Sequence, residues 1–135
     1  MSLVVADSSV WIDLFRGERN AATARLRDLK SANRKAPLLI VPDLILFEVL
    51  RGARTEAAWQ KIDRTMRRFD VLAITGEDAA LAAAARYRTL RGRGVTVRKS
   101  LDVLIASWCL DHDAALLHRD RDFVPFEQVF GLRVA

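Results

Sequence analysis

Four acidic residues are spread along the chain at positions where a fold could bring their side chains together. Asp7 follows the apolar run 3–6, and Glu48 is the one acid in an otherwise apolar segment. Asp102 opens a later helical pattern, and Asp120 follows a last apolar run. Carboxylates held close together repel each other unless some take up protons or bind a cation. Oxygen ligands without histidine or thiolate favour a hard ion such as Mg²⁺ or Mn²⁺, an arrangement typical of phosphoryl chemistry.

Each acid also has a purely structural interpretation. Asp102 in the first turn of a helix could act as a dipole partner or cap. Glu48 could pair with Arg51, which lies three residues further along the same helix. Burial of an unpaired carboxylate is costly, however, so a lone acid in an apolar helix is a candidate functional group. The four acids together are therefore more informative than any one of them.

Apolar runs alternate with helical patterns, which predicts an α/β domain with a mostly parallel sheet. Serines or threonines before several helices predict capping by Ser8 or Ser9, by the Thr75–Asp78 segment as a capping box, and by Ser100. The predicted strands cover residues 3–6, 38–41, 71–74 and 114–118, with 132–134 as an edge strand. The predicted helices cover residues 10–16, 20–35, 43–50, 55–69, 77–90 and 100–112, with one turn at 125–130. Ligands of such sheets bind beyond the carboxyl ends of the strands, where Asp7 and Asp120 are expected.

Length and composition indicate one domain over residues 1–135 with a substantial core, since 51% of the residues are hydrophobic. No run of 18 apolar residues and no signal-peptide pattern is visible, so we expect a cytoplasmic protein without membrane attachment. The single cysteine, Cys109, lies in an apolar stretch and is interpreted as a core residue.

The chain is basic, with a net charge of +5. Basic domains often meet polyanions, although a solvated helix face explains such charge equally well. An acidic pocket would itself repel a nucleic acid, so cations close to the acids are the candidates for phosphate contacts. Those adjacent to the acids in sequence are Arg98, Lys99, Arg119 and Arg121.

Four motifs in order resemble the PIN domain family, and their spacing and the chain length resemble the VapC-type toxins of bacterial toxin–antitoxin pairs. The motifs are Asp7-Ser8-Ser9, Glu48 followed by Arg51-Gly52, the segment 102–106, and the segment 118–123. The resemblance covers essentially the whole chain. One departure is His118, where many members carry threonine, and this leaves the support of Asp120 open.

The resemblance implies a three-layer α/β/α domain with a small, mostly parallel sheet. It implies a ribonuclease dependent on Mg²⁺ or Mn²⁺ that leaves a 5′-phosphate, with an antitoxin partner and a homodimeric state. The acids that match the family's metal-binding and catalytic positions are Asp7, Glu48, Asp102 and Asp120. Ser9 and Asp122 match supporting positions beside the metal. Whether Glu48 binds the ion or orients the attacking water is left open, as is the number of ions.

Other classes fit less well. Haloacid-type phosphatases need a second aspartate two residues after the first, where this chain has Ser9. His112 and His118 lack partners at zinc spacing and are interpreted as structural, and the three tryptophans are expected in the core. Two alternatives remain: a PIN nuclease of RNA maturation outside a toxin–antitoxin pair, and a non-catalytic PIN module that binds RNA or protein.

Overall fold

A computed structural model describes residues 2–32 and 36–135, in which strands and helices alternate as the sequence predicts. The strands are β1 (Leu3–Ala6), β2 (Leu38–Pro42), β3 (Asp70–Leu72) and β4 (Ala114–Leu117). The helices are α1 (Ser8–Phe15), α2 (Ala21–Ser31), α3 (Asp43–Arg51), α4 (Glu56–Met66), α5 (Glu77–Gly92), α6 (Ser100–Asp111) and α7 (Val124–Phe130). A 3-10 turn over Arg121–Phe123 precedes α7. The predicted helix 20–35 ends earlier than expected, and residues 33–35 lie outside the described ranges.

The four strands form one parallel sheet in the order β3-β2-β1-β4. The chain builds outward from β1 to β3 and then returns to place β4 on the other side of β1. The order therefore reverses between β1 and β4, and a crevice opens at the carboxyl ends of such neighbours. Helices flank the sheet: α3 and α2 pack against β2, α6 packs against β4, and α5 packs against α6. The α/β fold with a small parallel sheet is thus confirmed.

The central strands are apolar without alternation because both faces of the sheet are covered. Val5 of β1 is fully buried and pairs with Ile40 of β2 and Leu116 of β4. All of β4 is buried. Cys109 is also buried, as predicted. Among the described residues, every helix is too short or too polar to span a bilayer.

The outer parts of the sheet differ from the prediction. β3 begins at Asp70 and ends at Leu72, and all three of its residues are exposed. The buried Ile74 lies beyond its end. The predicted edge strand 132–134 is wrong, since only one isolated parallel bridge joins Leu116 to Val134. Trp59 is 43% exposed and so does not belong to the core, whereas Trp11 and Trp108 do.

Three predicted helix caps are also wrong. The residue that caps α1 is Asp7, whose side chain accepts from the backbone N–H of Ser9. Gly76, with φ of 131°, precedes α5 and offers no side chain, so the expected capping box is not formed. Ser100 lies inside α6 after Lys99, and this helix has no side-chain cap bond. Polar residues cluster at these starts, but the backbone geometry decides whether any of them caps the helix.

Candidate metal centre

Asp7 stands where β1 passes into α1, at the carboxyl end of the central strand. Its backbone N–H donates to the carbonyl of Leu117, which continues the pairing of β1 with β4. Its Oδ2 accepts from the Ser9 N–H at 3.3 Å and from the Ser9 hydroxyl at 2.6 Å. Its Oδ1 is buried and has no hydrogen-bond partner among the described residues. One oxygen therefore caps the helix, and the other is left for a different partner.

Three further aspartates meet at this edge of the sheet. Asp102 lies in the first turn of α6 and is only 4% exposed. Asp120 follows β4, and its Oδ1 accepts from the N–H of Asp122 at 2.9 Å. Carboxylate oxygens of Asp102, Asp120 and Asp122 all lie within 4.8 Å of one another. Asp122, predicted only as a supporting acid, is thus as close to Asp102 as a direct ligand would need to be.

Glu48 approaches the cluster from α3. Burial raises the pKa of Glu48, and the nearby charge of Asp7 raises it further. Within the described residues, Glu48 forms no ion pair with Arg51. The Arg51 guanidinium lies over the Phe47 ring instead, 5.4 Å from its centre. Lys99 partly offsets the negative field at Glu48. Glu48 therefore belongs electrostatically to the acidic cluster.

The cluster is electrostatically unfavourable on its own. Burial, and next the charge of Asp7, raise the pKa of Asp102 to about 7, with smaller contributions from Glu48 and Asp120. A carboxyl group with such a pKa is about half protonated at neutral pH unless a cation replaces the proton. The arrangement thus favours either a shared proton or a bound cation.

Buried carboxylate oxygens that lack hydrogen-bond partners also favour a bound cation at this site. Within the described residues, Asp7 Oδ1, Glu48 Oε1 and Asp102 Oδ2 are all buried without a partner. Buried polar atoms are almost always hydrogen-bonded, so three unpaired oxygens from three separate elements need an explanation. A hard divalent ion takes carboxylate oxygens as ligands and supplies the positive charge that such unpaired oxygens lack. The residues present therefore fit a divalent metal site.

His118 connects this site to the C-terminal helix. Its Nε2 lies 2.6 Å from Glu127 Oε2 of α7, and its Nδ1 accepts from the backbone N–H of Asp120 at 3.2 Å. Its side chain is 7% exposed and packs on the Phe123 ring at 4.8 Å between centroids. The prediction that His118 is structural agrees with these contacts, and its neighbour is the Asp120 loop itself.

The acidic cluster opens onto an accessible pocket of about 490 Å³ with cations at its rim. Its lining residues are Ser9, Asp13, Arg119, Asp120, Arg121 and Asp122. Arg119 forms an ion pair with Asp13 of α1 across this pocket. Arg98, Lys99 and Arg121 are exposed. Of the four predicted phosphate contacts, Arg119 and Arg121 therefore line the pocket, and Lys99 is near enough to act on Asp102 and Glu48.

Two residues of this region, Asp13 and Glu127, were not predicted from the sequence. Asp13 lies four residues after Ser9 on α1, so helical spacing could have placed both on the same face. Glu127 reaches His118 from nine residues away, through a turn and a helix. A contact of that kind depends on how α7 packs, so the local sequence pattern does not predict it.

Comparison with known proteins agrees with this fold. A family model described as the PIN domain matches residues 4–128. Ribonuclease VapC11 of Mycobacterium tuberculosis is 30% identical over 133 residues, which cover 98% of each chain. The VapBC2 structure from Rickettsia felis has a TM-score of 0.77 at 15% identity, covering 98% of this chain and 97% of that one. A toxin–antitoxin complex from Klebsiella pneumoniae has a TM-score of 0.69 at 19% identity, covering 96% and 94%.

The two structural likenesses establish the fold. The family follows from the matched length and from the relative aligned over nearly all of both chains. The chain belongs to the PIN domain family.

Proposed function

We propose that this protein is a divalent-metal-dependent endoribonuclease that acts as the toxin of a toxin–antitoxin pair. The observation that carries the proposal is the set of three buried carboxylate oxygens without partners, on Asp7, Glu48 and Asp102. The charge of Asp7 acts on both Glu48 and Asp102, and carboxylate oxygens of Asp102, Asp120 and Asp122 lie within 4.8 Å of one another. A curated relative aligned over 98% of its own length is named a ribonuclease, which supports the same chemistry.

Asp7, Asp102 and Asp120 would hold the ion, because they come from the two adjacent strand ends and from α6. Mg²⁺ or Mn²⁺ held there supplies an activated water near neutral pH and offsets charge on the phosphate oxygens. Glu48 is either a further ligand or the group that orients the attacking water. Asp122 is close enough to Asp102 and Asp120 to join the ligands. Ser9 keeps Asp7 in position through its hydroxyl.

The substrate would be RNA, cut so that a 5′-phosphate remains. The acidic cluster needs cations around it to accept a polyanion. Arg119 and Arg121 at the pocket rim, with Arg98 and Lys99 before α6, are the proposed contacts to phosphates on either side of the cut. Asp13 would keep the Arg119 guanidinium at the rim.

The partner would be an antitoxin that covers the site, and the toxin would be a cytoplasmic, single-domain homodimer. Apolar surface on α1, α3 and α4 supports protein contacts. Phe47 of α3 is 55% exposed. A groove of about 590 Å³ nearby is lined by side chains that include Ile12, Phe15 and Ile62.

The decisive experiment incubates purified protein with total RNA and maps the cleavage sites with Mg²⁺ and with Mn²⁺. Discrete cuts with 5′-phosphate ends, abolished by EDTA and restored by the added ion, are expected. Asp7→Asn should abolish the cuts, whereas Asp28→Asn on the exposed part of α2 should not. Cleavage by Asp7→Asn at the unsubstituted rate would overturn the assignment of the site.

Two further outcomes separate the alternatives. RNA binding without metal-dependent cleavage would indicate a non-catalytic PIN module. Cleavage without growth arrest on expression would indicate a nuclease of RNA maturation. Growth arrest that is relieved by co-expression of a partner encoded beside it supports the toxin.

A further inference from the structure

We propose that His118 and Glu127 form a positioning pair that fixes the Asp120–Asp122 loop for metal binding. This inference rests on the proposed metal site and adds two residues that do not themselves touch the ion. It gives a role to His118, whose Nε2 is hydrogen-bonded to Glu127 and whose Nδ1 is hydrogen-bonded to the backbone N–H of Asp120.

The two bonds determine which nitrogen of the ring carries the proton. A backbone N–H can only donate, so Nδ1 must accept from Asp120 and is therefore unprotonated. The proton of a neutral ring then lies on Nε2, where it is donated to Glu127 Oε2 at 2.6 Å. Because the carboxylate only accepts, Glu127 selects the tautomer that the Asp120 loop needs.

The consequence for the metal site follows through the backbone. Nδ1 of His118 accepts a hydrogen bond from the backbone N–H of Asp120, and Asp120 Oδ1 accepts one from the backbone N–H of Asp122. These successive bonds set the direction of both carboxylates, whose oxygens lie within 4.8 Å of that of Asp102. Partners that orient metal ligands in this way typically change metal affinity by about 10- to 100-fold when they are lost.

The surroundings of His118 make the pair rigid. The ring packs at 4.8 Å on Phe123, whose side chain is fully buried in the core. Glu127 lies on α7, which ends at Gly131 in the left-handed conformation with φ of 77°. The position of the acidic loop is thus tied to the position of α7.

Two substitutions, His118→Asn and His118→Gln, each keep one of the two hydrogen bonds and remove the other. In His118→Asn the amide oxygen occupies roughly the place of Nδ1, so it still accepts from Asp120 while the bond to Glu127 is lost. In His118→Gln the amide nitrogen occupies roughly the place of Nε2, so it still donates to Glu127 while the Asp120 N–H loses its acceptor. Calorimetric titration of the metal-free proteins with Mn²⁺ measures the effect directly, and circular dichroism checks the fold.

We expect His118→Asn to bind Mn²⁺ within about threefold of the unsubstituted protein and His118→Gln to bind at least about tenfold more weakly. In RNA cleavage, His118→Gln should need more Mn²⁺ for half-maximal activity while its KM for RNA is unchanged. Equal Mn²⁺ affinity in all three proteins would overturn the inference, as would an equal loss in the two variants.

A second pair of variants tests the inference if either histidine substitution prevents folding. Glu127→Gln keeps an oxygen that accepts from Nε2 and should retain Mn²⁺ affinity, whereas Glu127→Leu removes it and should weaken binding at least about fivefold. Identical affinities of these two variants would contradict the pair. Failure of the unsubstituted protein to bind Mn²⁺ would overturn the proposed function, and this inference with it. Metal binding by the unsubstituted protein without the Asn–Gln or Gln–Leu difference overturns the inference alone.

Discussion

Like charges lie close together at both ends of the sheet, but only one end has buried charged groups that lack hydrogen-bond partners. At the carboxyl ends of β1 and β4, carboxylates from four elements meet, and three of their oxygens are buried without a hydrogen bond within the described residues. At the amino ends of β2 and β3, cations gather around Lys30 near a pocket of about 380 Å³. Burial lowers the pKa of Lys30, and the neighbouring Arg68, Arg27 and Lys61 lower it further.

The difference between the two ends lies in their exposure to solvent. Lys30 is only half-buried, and its cationic neighbours Arg27, Lys61 and Arg68 are at least partly exposed, so water solvates them. Helices α2 and α4 also end at this pocket, and the carbonyl ends of helices favour positive charge. The acids also lie at favourable helix ends, since Asp7 caps α1 and Asp102 is in the first turn of α6. Water does not solvate them, however, because Asp7 and Asp102 are each only 4% exposed. Crowding of like charges therefore indicates a ligand only where water and hydrogen-bond partners are both excluded.

The largest effect that this comparison predicts is the loss of function on removing one buried acid. Asp102→Asn should reduce RNA cleavage by at least about 100-fold, because a lost ligand costs at least as much as a lost supporting residue. Cleavage rates at saturating Mn²⁺ measure this. Glu77→Gln, an exposed acid at the start of α5, is the matched control and should cleave normally.

The next effect is stabilisation by the metal. Mn²⁺ at about 100 times its Kd should stabilise the unsubstituted protein by about 2.7 kcal/mol, which is roughly a 10 °C rise in Tm. Thermal unfolding with and without the ion measures the shift. Asp102→Asn should show little of it. A full shift in that variant would contradict the assignment of Asp102 as a ligand.

The third prediction concerns the pH dependence of the metal-free protein. The pKa of Asp102 is about 7 in the folded protein and 3.8 in its ordinary state, so the folded protein binds the extra proton between these values. Stability in EDTA should therefore fall as the pH rises from 5 to 8, by on the order of 2 kcal/mol after allowance for solvent screening. Urea unfolding at several pH values measures this. Asp102→Asn should flatten the profile and exceed the unsubstituted protein in stability at pH 8, and a steeper fall in the variant would contradict the argument.

The smallest effect is expected at the basic end. Because the pKa of Lys30 is lowered, its positive charge is slightly unfavourable in the folded protein at neutral pH. Lys30→Gln should therefore raise the free energy of unfolding by less than about 0.5 kcal/mol, as is usual for partly exposed sites. RNA cleavage should not change. A large gain in stability would mean that the basic end is as strained as the acidic one.

The sequence alone was sufficient for the regular part of the molecule. Unbroken apolar runs identified β1, β2 and β4, since strands buried on both faces need no polar side. Placing Asp7 and Asp120 directly after such runs was enough to bring them to one edge of a parallel sheet. Glu48 could be singled out because an acid in an apolar helix is conspicuous.

Predictions from local sequence patterns were wrong where the structure depends on how neighbouring elements are arranged. β3 lies at the exposed edge, so its burial does not follow from its apolar residues. Asp7 rather than a serine caps α1, because its backbone dihedrals place its oxygen over the Ser9 N–H. These choices depend on how the strand enters the helix, which composition does not fix.

The sequence by itself determined which acids were available and at which ends of the strands they would stand. Only the tertiary structure decided that carboxylate oxygens of Asp122 and Asp102 lie within 4.8 Å of each other, and that Glu127 contacts His118. The physical reason is that strand order and periodicity are properties of single segments. The distance between side chains of α6, α7 and the loop after β4 is set by how those segments pack.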